Sequence, residues 1–280
     1  MSTDACPEQR ELAAYLSKIG FAGRPEADLA TLATINRLHI EAFPYENFDV
    51  QLGRRVPRAP RAAFRKMVEQ SRGGWCYEFN GLFAWMLEGI GFRVRHLAGA
   101  VMREAAGDRV IGNHLVPMVE LDRLYLADPS MGIFEPVPLV EGPIAQGFRR
   151  FALERPGGGW WRFRNHPEAM PPSFDFSLDV HDPAILEAAC DWLQSDPGSP
   201  FVRHALVQRN FANRMEALVG RTHSVITAAG KRDTDLVSSE EYERVARDAF
   251  GVGVPDLPAL WAKISQAPAT GFLAGMNEAA

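Results

Sequence analysis

The 280-residue chain contains only three cysteines, too few for a disulfide framework. It has no apolar run long enough to span a bilayer, and no apolar stretch behind a basic N-terminus of the kind that directs secretion. Its net charge of -5 provides no overall attraction to nucleic acid or to an anionic membrane. We therefore expect a cytoplasmic protein with neither nucleic acid nor membrane as a partner.

Motifs for common cofactors are also missing. No pair of cysteines or histidines has the close spacing of a zinc site, so we expect no metal. No Walker or dinucleotide glycine pattern lies between a predicted strand and a predicted helix. Hydrophobic residues make up 46% of the chain, enough for a sizeable core divided between two or three domains.

The apolar pattern divides the chain into four parts. Residues 1–95 repeat apolar positions at helical spacing, which predicts a helical bundle. Residues 96–180 consist of short β-rich runs and favour an antiparallel barrel or sandwich. Residues 181–198 open with an Asp-Pro pair typical of a helix start, so we expect a connecting helix. Residues 199–280 mix both patterns, which completes the prediction of a multidomain α+β protein.

The position of Cys76 distinguishes it from the other two cysteines. It follows Gly73, Gly74 and a tryptophan, and it begins a strongly apolar helical pattern. At a helix N-terminus, the macrodipole and the free backbone N–H groups stabilise a thiolate. The two glycines permit a sharp turn and close approach of the backbone to a ligand. Cys190 instead has the pattern of a packed helix residue, and Cys6 lies in the N-terminal tail. Cys76 is the predicted nucleophile.

A nucleophilic thiol needs a base and a group that orients the base. His114 opens one β-rich run and Asp128 closes the next, so a hairpin near Asp122 brings them together. The two side chains share a face only if the connecting loop has an odd number of residues, for example centred on Asp122. A two-residue turn at Asp122 and Arg123 places them on opposite faces. The pattern predicts a Cys-His-Asp triad, with a structural histidine and a turn aspartate as the alternative.

Residues 72–80 (RGGWCYEFN) resemble the active-site signature of arylamine N-acetyltransferases. The resemblance implies an N-terminal helical bundle, a central antiparallel β-barrel and a C-terminal α/β lid joined through a helix, with a catalytic core like that of cysteine proteases. It covers most of the chain and is weak beyond residue 205. The other matching blocks are residues 15–20, Leu38 with His39, residues 43–50, His114, Asp128, residues 136–139 and residues 199–201.

The resemblance also implies a ping-pong reaction. Cys76 takes an acetyl group from acetyl-coenzyme A as a thioester and passes it to an arylamine, an arylhydroxylamine or a hydrazine, as in xenobiotic metabolism. His114 acts as the base and Asp128 orients it, while Glu46 and Arg72 form a structural ion pair nearby. Acetyl-coenzyme A, or another acyl thioester, is a co-substrate, and no cofactor is tightly bound.

The same resemblance suggests residues that contact the two substrates, and it has one departure. The family usually has Gly-aromatic-Gly shortly after the triad aspartate, where this chain has Ser130, Met131 and Gly132. Because serine tolerates a positive φ poorly, we expect a reshaped turn, and methionine makes a flexible pocket wall. The implied acceptor contacts are Tyr45, Trp75, Met131 and Gly132, and the implied coenzyme A contacts are Gly132, Thr222 and Ser224.

Three other functions are compatible with the residues. An amide synthase of the same fold releases a polyketide or other acyl chain from an acyl-carrier protein onto an amine, and the altered Ser130–Met131 turn suits a larger donor. A thiol hydrolase of transglutaminase or papain type uses the same triad order with water as the acceptor. A non-catalytic binding module is the third, which the complete set of Cys76, His114 and Asp128 disfavours.

Overall fold

The structure is a computed structural model that describes residues 6–266. Helices predominate up to Ile90, and strands predominate from Arg93 to Asp235. The α-helices are α1 (Gln9–Lys18), α2 (Leu29–Ala42), α3 (Phe48–Gln51), α4 (Pro60–Phe64), α5 (Cys76–Ile90), α6 (Arg103–Ala106), α7 (Pro183–Ser195), α8 (Pro200–Arg203), α9 (Ser239–Asp248) and α10 (Leu257–Ile264). The strands are β1 (Tyr45–Glu46), β2 (Arg93–Val101), β3 (His114–Glu120), β4 (Leu124–Leu126), β5 (Val137–Pro138), β6 (Gly142–Gln146), β7 (Arg149–Gly157), β8 (Trp160–Arg164), β9 (Ser173–Ser177), β10 (Leu206–Phe211), β11 (Arg214–Val219), β12 (Thr222–Thr227) and β13 (Gly230–Asp235). A π-helical turn spans Arg65–Glu69, and 3-10 turns span Gly107–Val110 and Pro129–Met131.

Helix α5 lies at the centre of the N-terminal part. Helices α1, α2 and α4 pack on one side of it, and β2 and β3 pack on the other. Of its 15 residues, the first twelve are buried, which explains why its sequence is apolar on nearly every face. The helix ends at Gly91, whose φ of 113° is a conformation that glycine adopts without strain. This packing fixes the start of α5, where Cys76 lies, against β3.

Eight strands form a curled antiparallel sheet in the order β5-β4-β3-β2-β9-β8-β7-β6. Its inner face carries a core of large side chains, including Phe151, Phe163, Phe174 and Phe176. Among residues 6–266, β5 and β6 are not paired with each other, so the sheet has two free edges. The expected antiparallel β-barrel is therefore an open, curled antiparallel sheet in this part of the chain.

The β3–β4 hairpin has the odd loop that the sequence analysis required. Glu120 pairs with Leu124, so the loop contains three residues and is centred on Asp122. His114 consequently lies on the same face as Val116 of β3, and Asp128 follows Leu126 on that face. The condition for bringing His114 and Asp128 together is met.

A second, five-stranded antiparallel sheet has the order β1-β10-β11-β12-β13. Four of its strands come from the C-terminal part, and β1 comes from the N-terminal part, where Tyr45 pairs with Gln208. Helices α9 and α10 share a buried core with this sheet. Helix α7 connects the two sheets, and Asp182 caps it by accepting a hydrogen bond of 2.9 Å from the Ala184 N–H.

The prediction of a mixed helix-and-sheet fold is confirmed, while the four domain boundaries stay a prediction. Residues 267–280 of the last predicted domain lie outside the described residues. Among residues 6–266, no helix is both long and apolar enough to cross a membrane.

Candidate active site

The two glycines before Cys76 bring its segment against β1. The Glu46 N–H donates to the Gly74 carbonyl at 3.1 Å, and Tyr45 forms a parallel bridge with Gly74. A Cβ on Gly73 would lie 2.4 Å from the Pro44 carbonyl oxygen. A Cβ on Gly74 would lie 2.7 Å from Glu78 Cβ and 3.1 Å from Met67 Sδ. Neither glycine has a positive φ, so close contacts within the protein, with backbone at Gly73 and with side chains at Gly74, are what require glycine there.

Cys76 is the first residue of α5. Trp75 is the N-cap, and its N–H donates to the Glu78 carboxylate at 3.3 Å, which fixes the start of the helix. Only 2% of Cys76 is exposed, and the side chain borders a cavity of about 500 Å³. The thiol therefore meets a ligand-sized space at the positive end of a helix dipole.

A buried ionic cluster supports the segment that carries Cys76. Arg72 donates to Glu46 at 2.8 Å and to Asp49 at 3.2 Å, so the structure brings the predicted pair together within a larger group. Lys66 bridges to Asp49 at 2.9 Å and to Glu78 at 2.8 Å. Burial raises the pKa of Glu78 to about 7, although Lys66 counteracts it. The cluster ties the first turn of α5 to the turn after β1.

His114 and Asp128 form a buried hydrogen-bonded pair. The distance from His114 Nε2 to Asp128 Oδ2 is 2.6 Å, and their side chains are 2% and 0% exposed. Burial alone lowers the pKa of His114, but the Asp128 carboxylate and Cys76 outweigh it and raise the pKa to about 10. His114 is therefore an imidazolium at neutral pH.

Cys76 lies against this pair. Its interaction with the His114 side chain contributes to the raised pKa of that histidine. Because Asp128 occupies Nε2, Nδ1 is the ring nitrogen left for the thiol. Cys76 Sγ also lies 4.0 Å from the Asn113 carbonyl oxygen. The arrangement suits a thiolate beside an imidazolium that is held by a carboxylate.

Two further residues complete the surroundings of Asp128, and the sequence analysis assigned neither to the site. Asn80 donates from Nδ2 to Asp128 Oδ1 at 2.8 Å and to the Leu115 carbonyl at 2.7 Å. Ser130 donates from Oγ to the same Asp128 oxygen at 2.8 Å. Asn80 is the last residue of the 72–80 segment and lies one helical turn after Cys76, which is the sequence signal that could have found it.

The Ser130 turn differs from the expected one. Ser130 lies inside the 3-10 turn, and among the described residues it is not one of those with a positive φ. Gly132 instead takes the positive φ, 71°, and a Cβ there would lie 2.8 Å from Asn210 Oδ1. The replacement of glycine by serine is accommodated without backbone strain.

The cavity reaches from Cys76 to the five-stranded sheet. Its lining includes four of the residues for which the resemblance implied substrate contacts: Tyr45, Met131, Thr222 and Ser224. Gly132 and Trp75 are not among its lining residues. The Trp75 ring is 1% exposed and packs against Phe201, with 5.3 Å between ring centroids. Trp75 and Gly132 therefore stand behind the cavity wall.

Tyr45 is a lining residue that also contacts Cys76. Its side chain interacts with both the backbone and the thiol of Cys76. Burial raises the pKa of the Tyr45 phenol well above its usual value, and the charge of Cys76 adds to the effect. The phenol is thus a neutral hydrogen-bonding group at the point where the cavity meets Cys76.

The described residues contain no cluster of three or more side chains suited to a metal ion. The family model described as "N-acetyltransferase" matches residues 28–257. The chain belongs to this N-acetyltransferase family.

Relatives in this family share most of the chain. The arylamine N-acetyltransferase of Mycolicibacterium smegmatis is 31% identical over 259 residues, which are 88% of this chain and 94% of that protein. The solved structure of the arylamine N-acetyltransferase from Mycobacterium abscessus has a TM-score of 0.81 at 27% identity, covering 91% of this chain and 95% of that one. The Mycobacterium marinum arylamine N-acetyltransferase in complex with CoA has a TM-score of 0.82 at 25% identity, covering 91% and 99%.

Membership in the arylamine N-acetyltransferase family makes the chain an acyltransferase. The resemblance read from residues 72–80 is confirmed, as is the mixed helix-and-sheet fold.

Proposed function

We propose that this protein is an acetyl-coenzyme A-dependent arylamine N-acetyltransferase that works through an acetyl-Cys76 thioester. The observation that carries the proposal is the placement of Cys76, at the start of α5, between the His114–Asp128 pair and a cavity of about 500 Å³. Acetyl-coenzyme A is the co-substrate, arylamines or hydrazines are the acceptors, and the cytoplasm is the site of action.

In the first half-reaction, the Cys76 thiolate attacks the carbonyl carbon of acetyl-coenzyme A. A bond forms between Sγ and that carbon, and the bond from the carbon to the coenzyme A sulfur breaks. His114 gives its Nδ1 proton to the departing sulfur, and Asp128 stabilises the proton that stays on Nε2. The positive end of the α5 dipole, where Cys76 lies, stabilises the developing oxyanion.

In the second half-reaction, the acceptor amine attacks the thioester carbon. The new C–N bond replaces the C–S bond, and the neutral imidazole of His114 takes the proton that the amine loses. The products are the acetylated amine and a thiolate beside an imidazolium, which is the starting state. Burial of His114 and Asp128 excludes water from this proton transfer.

The lining residues suggest how the two substrates share one cavity. Tyr45 and Met131 lie at the end near Cys76 and are suited to the acyl group and the acceptor ring. Thr222 and Ser224 lie on the five-stranded sheet and are suited to coenzyme A. Trp75 and Gly132 support the wall from behind. In this arrangement the helical part carries the nucleophile, the curled sheet carries the base, and the C-terminal part covers both as a lid.

Steady-state kinetics test this proposal. We expect parallel double-reciprocal lines when acetyl-coenzyme A and an arylamine are varied together, because one product leaves before the second substrate reacts. The panel of acceptors includes an aniline, an aryl hydrazine and an aliphatic amine, and water alone gives the hydrolytic background. Intersecting lines, or acyl-enzyme turnover that no amine accelerates, would contradict the proposal.

A further inference from the structure

The two oxygens of the Asp128 carboxylate have different partners. Oδ2 faces His114 Nε2 at 2.6 Å. Oδ1 accepts two hydrogen bonds of 2.8 Å, one from Asn80 Nδ2 and one from Ser130 Oγ. All four side chains are buried, so water does not replace a missing donor easily.

Ser130 and Asn80 are also bonded to each other. Asn80 Nδ2 approaches Ser130 Oγ at 3.1 Å, and the Ser130 N–H donates to Asn80 Oδ1 at 3.3 Å. The two protons of Asn80 Nδ2 point to the closer acceptors, Asp128 Oδ1 and the Leu115 carbonyl, and this nitrogen cannot accept, so the Ser130 hydroxyl proton is directed to Asp128. The hydroxyl therefore has one orientation, and Asp128 Oδ1 is held from two directions.

Ser130 also separates Asp128 from the cavity. Ser130 borders the cavity and is 6% exposed, whereas Asp128 is 0% exposed and does not border it. A smaller side chain at position 130 opens a path from the cavity to the carboxylate. Water entering there competes with His114 for the carboxylate and raises the local dielectric constant.

We propose that Ser130 is a positioning residue of the transfer reaction, whose hydroxyl holds the Asp128 carboxylate in the orientation that meets His114 Nε2. Asn80 alone would hold Oδ1 from one direction, and the Ser130 hydroxyl, as a second donor on the same oxygen, further opposes rotation of the carboxylate about its Cβ–Cγ bond. The effect of Ser130 on the transfer rate rests on the proposed function. Its effect on the His114–Asp128 hydrogen bond does not depend on any substrate.

The experiment compares Ser130→Ala and Ser130→Thr with the wild-type enzyme. Threonine retains the hydroxyl, and its added methyl group can face the cavity. Ser130→Cys is a second near-isosteric variant, with a much weaker donor. Ser173→Ala is the matched control, because Ser173 is a 1% exposed serine whose hydroxyl has no hydrogen-bond partner among the described residues.

Two quantities are measured for each variant. The first is the rate at which acetyl-coenzyme A acetylates Cys76, for which we expect about a tenfold loss in Ser130→Ala and Ser130→Cys. The second is the downfield proton NMR signal of the His114–Asp128 hydrogen bond, which we expect to shift upfield and to exchange faster with water in both variants. Ser130→Thr and Ser173→Ala should match the wild type in both measurements.

A wild-type acetylation rate and an unchanged proton signal in Ser130→Ala would overturn the proposal. A Thr variant as impaired as the Ala variant would overturn it as well, since the hydroxyl would then not be the active group. If acetyl-coenzyme A does not acetylate the wild-type enzyme at all, the proposed function fails. The proton signal still tests Ser130 in that case.

Discussion

At the scale of single residues, the charge state of His114 controls the reaction. Its pKa is raised from 6.5 to about 10, mainly by Asp128, against the effect of burial. A group whose folded pKa is raised keeps its proton below that value and loses it as pH rises through it. His114 therefore stays an imidazolium through neutral pH and loses its proton on the alkaline side.

We predict that Asp128→Asn lowers the pKa of His114. The substitution removes the carboxylate charge but leaves the imidazole buried, so burial then dominates and the titration should move to about 6.5 or below. An NMR titration of the His114 ring protons measures both values. A pKa near 10 in Asp128→Asn would show that the carboxylate is not the cause of the shift.

A second histidine makes the opposite contribution to pH dependence. His39 is fully buried, accepts or donates a 2.8 Å hydrogen bond with the Tyr15 hydroxyl, and has its pKa lowered by burial from 6.5 to about 3. As pH falls, the unfolded chain takes up this proton before the folded protein does. The free energy of unfolding should therefore fall by about 1.4 kcal/mol for each pH unit that the pH drops between about 6.5 and 3.

His39→Gln tests this contribution to stability. The variant removes the titrating ring, so its free energy of unfolding should fall less steeply over that pH range than that of the wild type. His114 adds no slope there, because it is protonated in both the folded and the unfolded state. Urea unfolding at several pH values gives the two slopes, and equal slopes would refute the assignment.

At the scale of elements, the segment before α5 needs glycine at positions 73 and 74, because a Cβ at either position would collide with neighbouring atoms. We predict that Gly73→Ala lowers the free energy of unfolding by about 3 kcal/mol and reduces acetylation of Cys76. The new Cβ would lie 2.4 Å from a backbone oxygen of Pro44, and backbone yields less readily than a side chain. Denaturant unfolding and the acetylation rate measure the two effects.

Gly81→Ala is the matched control in the same segment. Its Cβ would meet only Leu115 Cδ2, at 3.8 Å, which is an ordinary contact. Because alanine favours a helix interior, we expect stability to rise by up to about 1 kcal/mol with activity retained. Equal destabilisation by both substitutions would mean that close packing before Cys76 is not the cause.

The elements that the sequence predicted well are those with a regular apolar pattern. Helix α5 and the β3–β4 hairpin have such patterns. His114 at the start of β3 and Asp128 just after β4 could therefore be selected as site residues. Strand β13 could not be predicted, because five of its six residues are exposed and it contains two aspartates, a lysine and an arginine. It is a strand only because its backbone pairs with β12.

The parts of the site that the sequence did not reveal depend on contacts between distant segments. Asn80 and Ser130 are 50 positions apart, and their shared partner Asp128 appears only when α5 packs on β3. The actual role of Gly73 likewise depends on where β1 lies. Local patterns identify the reacting groups, and tertiary packing identifies the groups that hold them.

At the scale of the whole molecule, Arg149 links the two sheets. It belongs to β7 and is only 1% exposed, with its guanidinium against the rings of Phe134 and Phe148. The guanidinium donates to the Phe211 carbonyl at 2.5 Å and to the Arg214 carbonyl at 3.2 Å. Burial lowers its pKa to about 10, so it stays charged at neutral pH. The β10–β11 hairpin that it holds includes residues that line the cavity.

We predict that Arg149→Met lowers the free energy of unfolding by about 3 kcal/mol and raises the KM for acetyl-coenzyme A. The substitution leaves the hairpin carbonyls without their donor and loosens one wall of the cavity. Arg150→Ala is the control, because the neighbouring Arg150 is exposed and donates only to nearby loop carbonyls among the described residues. Similar effects of both variants on unfolding and KM would contradict the linking role.

The central claim is that Cys76 carries the acetyl group during transfer. Intact-mass analysis after incubation with acetyl-coenzyme A tests it most directly, with peptide mapping to locate the modification and Cys76→Ala as the control. The account predicts one added acetyl group on Cys76, its loss when an arylamine is added, and no modification of Cys76→Ala. An unmodified wild-type enzyme, or a Cys76→Ala variant that gains the same acetyl group, would contradict it.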